Sequence, residues 1–247
     1  MMSAGLTGKL RLLVLLAVAA SSLVGAGYAA QPSAAFYDDF NDRAADGWVL
    51  GQGDWFVTGG TIYNTLSKFR EIFQRSRSVA GGAYCQGNSD IYGWGLNPDL
   101  GGRMASYIKG SNYGDFDATV DAVVLSSPTR EREMAIIFRA QDFQNFYHLR
   151  WYTGHTEGDD HLDLWKYVNG TAILLGYIQV DAMPVGTKAV FKLSAKGNQL
   201  RAHVLAKGSG ASSTKWLTAT DTTYASGLFG FDTYHTAGCF DNVRISL

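Results

Sequence analysis

Four short segments place ionisable and aromatic side chains at every second position. In FYHLRWY, Phe146, His148, Arg150 and Tyr152 alternate with Tyr147, Leu149 and Trp151. In HLDLWKYV, His161, Asp163, Trp165 and Tyr167 share one parity. In AVFKLSA and LRAHVLA, Lys192, Arg201 and His203 stand opposite the apolar residues. A β-strand sends successive side chains to opposite faces, so each segment reads as a polar, aromatic face backed by an apolar one. Aromatic rings stack on sugar rings, and Arg, Asp and His bind hydroxyls or carboxylates. If these strands are neighbours, His148, Arg150, Tyr152, Asp163, Trp165, Arg201 and His203 line a single groove. His148, Arg150 and Tyr152 also hold the groups a uronate lyase needs: a cation for the sugar carboxylate and a base for the C5 proton. A solvated face would show the same alternation.

Other positions complete the set. Trp94 lies in a glycine-rich stretch beside Tyr92 and Asn97, where an aromatic has little reason to be core; it is the candidate stacking platform. Tyr234 and His235 stand in a terminal hairpin and could line the groove rim. The pairs Glu131/Glu133 and Asp117/Asp121 read as solvated surface rather than as the two carboxyls that glycoside hydrolysis needs on either side of the bond. The loop HTEGDDH (His155 to His161) groups two His with three acids and reads as a turn rather than a metal site. Cys85 and Cys239 could pair or remain two buried thiols, and no zinc-type spacing surrounds them.

The elements that must carry these residues are strands. In GDFDATVDAVV, Phe116, Ala118, Val120 and Ala122 point one way while Asp115, Asp117, Thr119 and Asp121 point the other. MAIIFRA, AILLGYI, LFGFDTY and CFDNVRIS are further strand candidates. Asn169-Gly170 between two apolar runs is a hairpin signal, because both positions tolerate positive φ. Short strands separated by regular turns predict an all-β, two-sheet antiparallel β-sandwich. Residues 66–113 break the pattern and read as one or two irregular strands plus an insertion.

The bulk properties set the limits. The chain has 247 residues, a formal net charge of -1, 17% charged and 13% aromatic residues. That suits one all-β domain over 30–247 and gives no electrostatic case for nucleic acid. Lys9 and Arg11, the apolar run Leu12 to Val24 and the small residues GAGYAA form the layout of a secretory signal over 1–29. The run is short for a bilayer span, so a secreted protein, extracellular or periplasmic and without membrane attachment after cleavage, is expected. A monomer is expected.

Three segments carry a family resemblance: YDDFNDRAADGWVLGQGDWFVTGGTIYN (Tyr37 to Asn64), IIFRAQDFQNFYHLRWY and GLFGFDTYHTAGCFDNVRIS. Together they resemble the concanavalin A-like lectin/glucanase superfamily in its laminin-G-like jelly-roll form. The resemblance implies core positions for Trp48 and Trp55 and a polysaccharide or other glycan as partner. It implies a structural Ca²⁺ near the terminal strands, with Asp38, Asp39 and Asp241 as candidate ligands; the same acids could instead cap turns. The superfamily holds binding modules, hydrolases and lyases. A carbohydrate-binding protein is expected first, a small polysaccharide-degrading enzyme (lyase before hydrolase) second, and a structural or adhesive surface protein third.

Overall fold

The structure is a computed structural model describing residues 34–50, 55–58, 82–87, 104–127, 129–186, 188–207 and 215–247. The 1–29 segment and Trp94 lie outside the described residues. Fifteen strands follow in order: β1 (Ala34–Asp38), β2 (Trp48–Leu50), β3 (Trp55–Val57), β4 (Tyr84–Gln86), β5 (Met104–Ile108), β6 (Phe116–Ser126), β7 (Arg132–Ala140) and β8 (Phe146–Thr153). They continue with β9 (Asp160–Val168), β10 (Thr171–Gln179), β11 (Lys188–Lys196), β12 (Gln199–Lys207), β13 (Leu217–Thr220), β14 (Leu228–Tyr234) and β15 (Ala237–Ser246).

All pair antiparallel into two sheets. The first sheet runs β13-β12-β11-β6-β15-β4-β3, with β1 also on β15; the second runs β10-β9-β8-β7-β14-β5-β2. The alternating pattern read from the sequence produces this. Along β11 burial alternates strictly, with Ala189, Phe191, Leu193 and Ala195 inside. At the turn joining β9 and β10, Asn169 (φ 50°) and Gly170 (φ 76°) both take the left-handed conformation, the geometry a two-residue hairpin needs. Two strands come from the stretch read as irregular: β4 joins the first sheet beside β15, and β5 joins the second beside β14.

The core lies between the sheets. Phe231 of β14 stacks flat on Phe240 of β15, with ring centroids 4.0 Å apart. Trp48 stacks on Phe231 and leans on Tyr84, which in turn stacks on Trp55. Trp48 and Trp55 are thus both buried, and the column ties one sheet to the other. At Gly238 there is no room for a side chain: a Cβ there would stand 2.3 Å from Met134 Sδ across the sandwich.

Cys85 and Cys239 face each other across the β4/β15 pair and form a disulfide, 154 residues apart in sequence. It fastens β4 into the sheet next to the buried Phe56, Ala83 and Leu125. Cross-linking so long a loop removes much chain entropy from the unfolded state. Replacing both cysteines by serine should lower unfolding free energy by about 3–5 kcal/mol. Urea titration of the variant, and of the wild type with and without reductant, measures it.

Candidate functional site

Because Met134, Ile136, Leu149, Trp151, Leu162, Leu164 and Phe231 fill the core, their neighbours along the chain turn to the other side of the second sheet. Register then aligns them in rows. One row across β14, β7, β8, β9 and β10 holds Tyr234, Glu133, Tyr152, His161 and Gln179. The next holds Asp232, Ala135, Arg150, Asp163 and Tyr177. His148 and Trp165 pair in the row below.

Arg150 is the hub. Its Nε donates to both oxygens of Asp163 at 2.8 and 2.9 Å, and its Nη1 donates to Glu133 Oε2 at 3.1 Å. Its guanidinium lies 4.4 Å from the Tyr152 ring centre and 5.4 Å from that of Trp165. Burial alone would lower its pKa, but Glu133 and Asp163 outweigh it and raise it, so the charge is fixed. His148, fully buried, places Nε2 3.0 Å from Asp232 and 3.5 Å from Glu133. His161 reaches Asp163 at 2.9 Å.

A second cluster sits at the end of the sheet. Tyr152 donates to Glu131 Oε1 at 2.8 Å, while His155 and His235 both meet Glu131 Oε2 at 3.0 Å. Burial and then the Glu131 bond raise the Tyr152 pKa, which keeps the phenol protonated at neutral pH. Tyr234 stacks on His235 at 3.8 Å. Four of the protein's five histidines thus stand against carboxylates on this one face.

His148, Arg150, Tyr152, Asp163 and Trp165 therefore share one surface, with Tyr234 and His235 at its rim. Arg201 and His203 do not belong to it. They lie on β12 of the other sheet and point away from the core on the opposite side of the sandwich, since Leu200, Ala202 and Val204 take the inner positions. Identical alternation in both sheets had merged two faces into one. Glu133 and Glu131, read as solvated, are 1% and 13% exposed. Asp232, fully buried, was not singled out. The signal was present: in LFGFDTY, Phe229 and Phe231 alternate with Gly230 and Asp232.

Among the described residues, Glu133, His148 and Asp232 form the one group of three whose ligand atoms converge, within 4.8 Å. A nitrogen and two carboxylates suit a transition metal better than Ca²⁺, which takes six to eight oxygens. The calcium candidates each accept a backbone amide on one oxygen: Asp38 from Phe40, Asp39 from Asn41 and Asp241 from Asn242. Asp38 also accepts the Trp48 indole N–H at 2.8 Å. Burial, opposed by the Asn242 amide and helped by Asp121 and Asp39, pushes Asp241 up from 3.8 to about 6.

No family model matches the chain, and none of the curated proteins compared with it matches. Solved structures share its fold. The carbohydrate-binding module CBM66 from Bacillus subtilis superposes with TM-score 0.51 at 18% identity, over 80% of this chain and 98% of that one. The GH43 BlXynB protein from Bacillus licheniformis superposes with TM-score 0.53 at 13% identity over 85% of this chain, which spans only 39% of that protein. The architecture they share with this chain is a two-sheet antiparallel jelly-roll sandwich, the fold class expected from the sequence.

Two outcomes follow from the electrostatics. Arg150→Ala leaves Glu133 and Asp163 buried without their shared cation and should cost about 3–5 kcal/mol at neutral pH. Urea unfolding of the wild type and the variant at pH 7 measures the difference. Asp241 binds its proton more tightly when folded, so the stability it brings is present at low pH and lost as pH rises through about 6. Asp241→Asn should therefore stabilise at pH 7, on the order of 1 kcal/mol for a half-exposed group, and make no difference below about pH 4.

Proposed function

We propose that this face of the second sheet binds a glycan and that the protein is a carbohydrate-binding module acting outside the cytoplasm. The observation that carries the reading is the tier around Arg150. Buried Glu133 and Asp163 hold the guanidinium rigid, and Tyr152, Trp165, His161 and the 62%-exposed Tyr177 surround it. Rigid aromatic surface beside fixed donors and acceptors is what a sugar ring with its hydroxyls requires. The CBM66 structure with the same fold carries the name of a carbohydrate-binding module, which supports the reading. The disulfide and the 1–29 segment fit an exported protein.

The geometry favours binding of neutral sugars over uronate lysis. Arg150, the candidate to neutralise a sugar carboxylate, already carries two carboxylates of its own. Tyr152, the candidate base, keeps its proton and spends its hydroxyl on Glu131. Recognition through hydroxyls needs neither group released.

Affinity electrophoresis in gels containing neutral or uronate polysaccharides tests this. Retardation by a neutral polymer should weaken roughly three- to tenfold in Tyr177→Ala and in His161→Ala, the loss of one aromatic contact. Release of unsaturated or reducing ends that disappears in Tyr152→Phe would replace binding by catalysis, and absence of any retention would favour an adhesive protein.

A further inference from the structure

The outer face of the first sheet carries the residues that the Arg150 surface leaves out. Register places His203 of β12 opposite Lys192 of β11, Lys192 opposite Thr119 of β6, Thr119 opposite Arg244 of β15, and Arg244 opposite Tyr37 of β1. Four strand steps of about 4.8 Å make this lane roughly 19 Å long. At its far end Trp216, just before β13, lies against His203 with centroids 5.3 Å apart and under the Arg201 guanidinium at 4.9 Å. His203 Nδ1 meets the Lys215 carbonyl at 3.0 Å, which fixes the imidazole beneath the indole. Trp216 is 40% exposed and Tyr37 54%. Both ends of the lane therefore present aromatic surface to solvent.

The charges between them are unspent. On the second sheet Arg150 holds Glu133 and Asp163, Arg130 holds Asp160, and Lys166 holds Asp221. Among the described residues Lys192, Arg201 and Arg244 have no carboxylate partner. Four acids flank the lane: Asp117 pairs with Lys196 at 3.4 Å, Asp121 accepts from the Asn242 side-chain amide at 3.2 Å, Asp241 from the Asn242 backbone amide at 2.7 Å, and Asp39 from the Tyr37 hydroxyl at 3.3 Å.

We propose that this lane, Trp216–Arg201–His203–Lys192–Arg244–Tyr37, is a second binding site, separate from the Arg150 face, for an extended anionic polysaccharide such as a polyuronate. Exposed cations one or two strands apart meet carboxylates carried on successive sugars, and the end aromatics stack on sugar rings. On a chain of net charge -1 these three cations give local attraction for a polymer that carries a carboxylate on each sugar.

Affinity electrophoresis of the full protein in polygalacturonate gels tests the lane. The wild type should be retarded at low ionic strength, with retardation falling as NaCl is added. The double variant Lys192→Glu/Arg244→Glu, at two exposed positions with no partner to lose, should bind at least about tenfold more weakly. Trp216→Ala should weaken binding without changing the salt dependence, because stacking is not screened. Tyr177→Ala and His161→Ala should leave polygalacturonate binding intact, which separates this site from the neutral-sugar face whatever becomes of that reading. No retardation at low salt, retardation unaffected by the double variant, or retardation lost in Tyr177→Ala would overturn the proposal. So would a single-stranded oligonucleotide binding as tightly through the same residues.

Discussion

Phe231 lies flat on Phe240, and most of what the protein can do follows from that contact. The two rings belong to different sheets, and Trp48, Tyr84 and Trp55 extend their stack into a column that holds the sandwich together. With Phe231 committed to the interior, Asp232 must point outward, and the register of β14 with β7 sets it beside Ala135. A larger side chain at 135 would separate Asp232 from its neighbours; alanine lets His148 reach across to it. The hydrophobic column thereby fixes the place of a buried carboxylate on the opposite surface of the sheet.

That surface is costly to build. Glu133, Asp163, Asp232 and His148 are almost wholly removed from water, and each needs a partner to offset the lost hydration. Arg150 serves two of the acids and His148 bridges two. The result is a connected network overlaid by the partly buried Tyr152, Trp165 and His161 and the exposed Tyr177. Preorganisation of this kind lowers the entropy lost when a ligand is held. The first sheet has the contrary design: its outer cations are exposed and lightly held, suited to attraction over distance rather than to a shaped pocket. The two faces therefore suit two chemically different polymers.

Much of this was legible in the residues. The eight strand segments from MAIIFRA to CFDNVRIS appear as β7 to β12, β14 and β15, while the four-residue β13 was not among them, and the Asn169-Gly170 turn forms where positive φ at both positions requires it. His148, Arg150, Tyr152, Asp163 and Trp165 meet on one surface because hairpin-linked strands β8 and β9 are neighbours in sequence and in space. Lys192, Arg201 and His203 went to the wrong surface because the crossover from β10 to β11 changes sheets, and alternation carries no mark of which sheet a strand joins. Glu131 and Glu133 looked solvated because they alternate with Arg130 and Arg132; Glu133 is buried against Arg150, seventeen positions later. The two strands within 66–113 were expected but could not be located, because a three-residue and a five-residue strand show too little periodicity.

The amino-acid sequence by itself determined the period of two, the turns and the apolar stripes, and hence an all-β sandwich with polar outer faces. These are local properties, set by side chains one and two residues apart. Which outward residues meet depended on strand order and register across the whole chain. Only the tertiary structure could join Cys85 to Cys239, bring Asp232 to His148, and place Arg201 and Arg150 on opposite sides of the molecule.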